Sequence, residues 1–275
     1  MQNFNVGFIG GGNMARSLIG GLISNGFSAD RIGVTDPDEE KRARLAADFG
    51  VRAWDNNTQL AKEVDVLVLA VKPQTMRAVA EELATTVLQS QPLVLSIAAG
   101  IRIVDLERWL GGECAVVRAM PNTPALVASS ATALYANERV DELQRERAES
   151  ILRAVGLALW LDDEASMDTV TALSGSGPAY FLLVMEIMEE TAVSLGLEPE
   201  TARLLTLQTA FGTAKMALES SEDAATLRHH VTSPGGTTEQ AIRVLEEGGL
   251  WELFHQALSA ARERSQELAN QLGGK

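Results

Sequence analysis

Apolar residues follow two rhythms along this chain, and the change between them divides it. In the first part, short continuous apolar runs alternate with stretches that are apolar at every third or fourth position. Val6-Gly-Phe-Ile-Gly10, Arg31-Ile-Gly-Val-Thr-Asp36, Val64-Asp-Val-Leu-Val-Leu-Ala-Val71, Leu93-Val-Leu-Ser-Ile97 and Cys114-Ala-Val-Val-Arg-Ala-Met120 read as strands. Helical patterns begin after Gly12 and fill 38–49, 58–63, 75–90 and 103–110. Ala131–Tyr135 and Gly156–Leu161 are shorter runs that extend the sheet at one edge, around a helix at 138–154. Strands alternating with helices imply a parallel sheet covered on both faces.

After about residue 163 strand signals give way to long helices, at 164–173, 178–195, 199–220, 238–247 and 250–272. The helix opening at Pro178 is apolar on nearly every side until Glu186. A helix apolar all round must be buried. A small helical domain has too little interior for it, so a subunit interface is expected.

The sharpest local signal is Gly10-Gly-Gly-Asn-Met-Ala15, set between a strand and a helix. This is the G-x-G-x-x-A form of the dinucleotide fingerprint. Gly10 permits the tight turn, Gly12 lets a pyrophosphate approach the backbone, and Ala15 lets helix and strand pack closely. The helix N-terminus offers N–H groups and the positive end of its dipole to the phosphates.

Composition narrows the partners. A net charge of −14 provides no basic field for nucleic acid or an anionic membrane surface. The single cysteine, Cys114, excludes an internal disulfide and fits a reducing, cytoplasmic setting. No apolar stretch is expected to reach the length of a membrane span, and the N-terminus has no signal-peptide pattern. His229, His230 and His255 lack ligand spacing with a cysteine or second histidine, so no metal site is expected.

Ligands of an open α/β sheet bind beyond the carboxyl ends of its strands. Val71-Lys72-Pro73, Ser96-Ile-Ala-Ala-Gly100 and Met120-Pro-Asn-Thr-Pro124 occupy such ends. Two further turns lie in the helical half, Leu173-Ser-Gly-Ser-Gly-Pro-Ala179 and Val231-Thr-Ser-Pro-Gly-Gly-Thr-Thr238. Thr237 and Gln240 have the spacing of a capping box, and the glycines before them make a plausible carboxylate cradle.

Taken together and in this order, these motifs resemble the pyrroline-5-carboxylate reductases, and the likeness runs through nearly the whole chain. The resemblance implies an α/β fold with an N-terminal Rossmann-like domain, 1–163, and a C-terminal all-helical dimerisation domain, 164–275. It implies reduction of 1-pyrroline-5-carboxylate to L-proline, the last step of proline biosynthesis, by hydride transfer from NADPH, with NADH as a second donor. Carried over by position, its cofactor contacts fall on Gly10, Gly11, Gly12, Asn13, Met14, Thr35, Asp36, Asn57, Ala70, Val71, Lys72, Pro73, Ile97, Ala98 and Ala99. Its substrate contacts fall on Glu164, Gly235, Gly236, Thr237 and Thr238, with Thr238 beside the ring nitrogen as the catalytic group. It further implies homodimers, often gathered into decamers. His230 stands where some relatives carry a cofactor-touching asparagine, which leaves its role open.

Two other readings stand beside this one. A β-hydroxyacid dehydrogenase-like reductase would need a catalytic lysine in the helical half, and Lys215 lacks the surrounding motif. A non-catalytic sensor of the nicotinamide redox state would bind cofactor without oxidising it. The choice between NADPH and NADH turns on Asp36, where an acidic group suits a free ribose diol and repels a 2′-phosphate.

Overall fold

The computed structural model of the chain describes residues 4–274. They form two compact units, 4–176 together with 261–274, and Gly177–Ala260. The sequence places a boundary at 163/164. In the structure Met167 and Ala172 are buried, and the Ser265 hydroxyl donates to the Asp168 carboxylate over 2.6 Å, so these residues belong with the first unit.

The first unit is an eight-stranded sheet in the order β3-β2-β1-β4-β5-β6-β7-β8. Its strands are β1 (Val6–Ile9), β2 (Ile32–Thr35), β3 (Arg52–Trp54), β4 (Val66–Leu69), β5 (Leu93–Ser96), β6 (Val116–Met120), β7 (Ser130–Ala136) and β8 (Gly156–Trp160). Every neighbouring pair is parallel except β6 and β7. The helices α1 (Asn13–Ser24), α2 (Glu39–Phe49), α3 (Asn57–Lys62), α4 (Pro73–Ser90), α5 (Ile103–Trp109), α6 (Glu142–Arg153) and α7 (Ser166–Val170) belong to this unit.

Strand alternation builds two cores. Phe8, Val34, Val68 and Leu95 face one side, with Leu18 and Leu22 of α1. Ile9, Leu67, Leu69 and Val94 face the other, with Met76, Ala80 and Leu83 of α4. Both faces of the central strands are therefore dry, which explains why they read as unbroken apolar runs.

In the second unit α8 (Gly177–Ser194) packs on α9 (Pro199–Glu219), and α10 (Ala224–His230), α11 (Thr237–Glu247) and most of α12 (Leu250–Gly273) follow. The expected burial of α8 does not occur within the chain. Phe181 is 70% exposed, and Leu182, Leu183 and Ile187 are exposed with it. The expectation about membrane spans also fails. Helix continues through a π-turn at Thr171–Gly175, so Ser166–Ser194 is long and apolar enough, by length and composition, to cross a membrane.

Candidate active site

The strand order reverses direction between β1 and β4, and a crevice opens beside such a reversal at the carboxyl ends. There the first unit brings together Gly10–Met14, Thr35–Asp36, Ala70–Pro73 and Ile97–Ala99, which follow four adjacent strands. Gly10 has φ +102°, and a β-carbon on it would lie 2.7 Å from the Ala70 carbonyl oxygen. Only glycine fits that turn. Its N–H donates to the Thr35 carbonyl over 2.8 Å, tying the turn to the end of β2.

Gly12 is the N-cap of α1 and has open space where its side chain would be. No side chain caps α1 and no acidic residue sits in its first turn. The N–H groups at Asn13 and Met14 are thus left for an anion, which is what a pyrophosphate requires. The residues present fit a dinucleotide.

Asp36 bears on the same turn. Its Oδ2 accepts the Gly11 N–H at 2.8 Å and its Oδ1 accepts the Asp38 N–H at 3.0 Å. Thr35 is 2% exposed, with its hydroxyl 3.5 Å from the Phe8 carbonyl. Asn57 opens α3, and its amide nitrogen donates to both oxygens of Glu82 at 3.2 and 3.3 Å. Lys72 caps α4 through its backbone, with Pro73 at the first helical position. Ala98 is buried and its N–H reaches the Ser96 hydroxyl at 3.4 Å.

Glu164 is already engaged. Its Oε1 accepts the Ile103 N–H and an Arg118 N–H, each at 2.9 Å. Arg118 is buried in β6, where an unpaired guanidinium would be costly. The pair thereby fastens the start of α5 to Glu164, just beyond the Ile97–Gly100 loop. That loop also rests on the end of α12, since Leu268, Ala269 and Leu272 surround Gly100. Two of the sequence motifs meet as well. The Asn122 amide donates to the Ser174 carbonyl at 3.0 Å, while its oxygen accepts from the Ser130 hydroxyl and the Ala131 N–H.

The second unit holds the other turn. α11 begins at Thr237 with Gly236 as its N-cap, and no side chain caps it. The capping box expected from Thr237 and Gln240 is absent because the helix starts one residue earlier than that spacing assumes. Gly235 adopts φ +71°, its N–H donates to Glu239 at 2.8 Å, and the Gly236 N–H closes the turn on the Ser233 carbonyl. Thr238 lies in the first turn of the helix and is half-buried. His230 ends α10 and faces Glu222 at 3.3 Å.

Sequence reasoning missed Arg118, Glu82, Glu239 and Lys41. A lone arginine inside the apolar run 114–120 was a usable signal, because a buried charge needs a partner. Glu82 acts across 25 residues, which spacing does not announce, whereas Glu239 and Lys41 stand four and three residues from Gly235 and Asp38, a spacing that could have found them.

Comparison with known proteins agrees with this layout. Residues 164–268 match the family described as pyrroline-5-carboxylate reductase dimerisation, and residues 5–100 match that described as NADP oxidoreductase coenzyme F420-dependent. A pyrroline-5-carboxylate reductase of Pseudomonas aeruginosa is 52% identical over 273 residues, 99% of this chain and 100% of that protein. The structure of a pyrroline-5-carboxylate reductase from Coxiella burnetii superposes with a TM-score of 0.94 at 50% identity, covering 98% of this chain and 100% of that one. A Plasmodium falciparum pyrroline carboxylate reductase solved with NADP bound gives a TM-score of 0.87 at 30% identity, with coverage of 98% and 100%.

Proposed function

The chain belongs to the pyrroline-5-carboxylate reductase family, and from that premise we propose how its residues divide the reaction it catalyses, reduction of 1-pyrroline-5-carboxylate to L-proline with NADPH. The observation that carries the proposal is the start of α11, an uncapped helix N-terminus behind a left-handed glycine, with Thr238 in its first turn. Backbone N–H groups at Thr237 and Thr238, in the uncapped first turn behind Gly236, form an anion-binding cradle, and the substrate's carboxylate is the group that suits it. The Thr238 hydroxyl donates a hydrogen bond to the ring nitrogen and draws electron density from the C=N carbon. That places its contribution in polarisation and positioning rather than covalent attack.

In the first unit, Gly10–Met14 hold the pyrophosphate, and Thr35, Asp36 and Asn57 border the adenosine side. Ala70–Pro73 and Ile97–Ala99 border the nicotinamide side, where small residues allow close approach. The reduced nicotinamide supplies the hydride when bound, and C=N becomes C–N with one proton taken up at nitrogen. Glu164 contributes by holding the Ile103 N–H beyond the nicotinamide-side loop, beside its family assignment to the substrate.

The test is NADPH oxidation on addition of 1-pyrroline-5-carboxylate, followed by absorbance. Thr238→Ala should lower kcat by about ten- to a thousandfold, the range for one lost transition-state contact. An unchanged kcat would remove Thr238 from the chemistry.

The chain forms homodimers, as its dimerisation segment requires. We extend the proposal to decamers built from those dimers, to slower turnover with NADH, and to a cytoplasmic location that suits one buried thiol. Sedimentation, the ratio of kcat/KM for the two cofactors and cell fractionation test these in turn.

A further inference from the structure

At the end of β2, a Rossmann-bound dinucleotide presents its adenine ribose to the acidic residue there, and an acid in that place ordinarily favours a free 2′-hydroxyl. Asp36 occupies the place, yet the chain binds NADP(H). The contacts around Asp36 resolve the conflict. Both carboxylate oxygens are taken by main-chain donors, Gly11 N–H on one and Asp38 N–H on the other, and the side chain is only 10% exposed. The carboxylate thus braces the glycine turn, with neither oxygen left without a main-chain donor.

Thr35 is buried, with its hydroxyl 3.5 Å from the Phe8 carbonyl, and it carries no charge to set against a phosphate. Arg42 is tethered, with one guanidinium N–H donating to the Asp36 main-chain carbonyl. Lys41 is different. Its ammonium lies 3.9 Å from Asp36 Oδ1 and 3.8 Å from Asp38 Oδ2, beyond hydrogen-bond distance of both, and its side chain is 53% exposed. It balances two carboxylates without being held by either.

The geometry points to Lys41 as the residue that selects NADPH, by turning from Asp36 and Asp38 onto the 2′-phosphate of the adenine ribose. Asp36 then acts as a positioning residue for the turn, and its charge is offset from outside by the same lysine. The inference rests on a dinucleotide occupying the Gly10–Met14 turn. It goes beyond that occupancy by assigning the specificity to one flexible cation in the first turn of α2. An exchange of one phosphate for two carboxylate neighbours also predicts a salt-sensitive preference, because all three groups are partly exposed.

The experiment uses the full-length protein and two fragments that differ only in the 2′-phosphate, 2′,5′-ADP and 5′-AMP, with binding measured by calorimetry. The wild type should bind 2′,5′-ADP more tightly. Lys41→Ala should weaken 2′,5′-ADP by about tenfold, the scale of one charge-assisted contact, and leave 5′-AMP within about twofold. Lys41→Arg should restore the difference. The assignment is overturned if Lys41→Ala weakens both fragments equally, which would make the lysine a support for the fold of the turn. It is equally overturned if that variant changes neither fragment, or if the wild type shows no preference. Turnover of 1-pyrroline-5-carboxylate by the wild type is measured alongside, so that a failed reductase reading shows itself without touching the fragment result.

Discussion

Gly10 shows how much a single position can be made to carry. Its φ of +102° and the Ala70 carbonyl behind it leave no room for a methyl group. Gly10→Ala should therefore cost about 1–3 kcal/mol in strain, lowering the urea midpoint and weakening NADPH binding together. Cys114 makes a different test. Burial, helped by the nearby charge of Glu107, pushes its thiol from the ordinary 9.0 up to about 11. The folded state therefore keeps its proton while the unfolded chain loses it, so stability is full below pH 9 and falls as pH rises toward 11. Cys114→Ala should remove that part of the alkaline decline, read from urea midpoints at pH 8 and pH 10.5. The glycine turn was legible in the sequence because a left-handed turn admits so few residues. The Asp36 contact was not, because a carboxylate reaching a backbone N–H 25 residues away leaves no periodic trace. Glu164 was legible only through resemblance, and its partners Ile103 and Arg118 emerged only when the strands were laid side by side.

Strands were legible in proportion to how completely they are buried. β1, β4 and β5 have every residue buried and declared themselves as apolar runs. β3 is three residues long and two of them are exposed, so nothing in Arg52-Ala-Trp54 distinguishes it from a loop. α10 escaped because seven residues are too few to establish a helical period, whereas the longer α11, equally without a buried residue inside the chain, was legible. The antiparallel entry of β7 beside β6 follows from a short connection through a 3₁₀ turn at Thr123–Val127, too short for the crossover that parallel strands need. Asn122 is the joint between that connection and the π-turn after α7. Asn122→Ala would leave the Ser174 carbonyl and the Ala131 N–H without their partners, and should cost about 2–4 kcal/mol. A two-state urea titration checks it, and a loss below about 0.5 kcal/mol, the range of ordinary surface changes, would contradict the assigned role.

At the scale of the whole molecule, the apolar surface of the second unit outweighs any single contact. Phe181, Leu182 and Ile187 of α8 lie exposed in one chain, with Leu204, Leu205 and Phe211 of α9. Periodicity said that α8 must be covered and pointed to a subunit interface, and the structure leaves its apolar side chains exposed in the single chain, within the segment that matches the dimerisation family. Phe181→Glu in α8 should shift the dimer to a 29.4 kDa monomer in sedimentation, or leave the protein insoluble, while Glu186→Gln at an exposed position of the same helix should do neither. The bare face of α8 has a thermodynamic corollary. A fold completed by a sister chain is a bimolecular product, and its melting point is a property of the solution as much as of the sequence. Each tenfold dilution should remove about 1.4 kcal/mol from the stability of the assembled dimer, so heating curves taken at two concentrations will not superimpose.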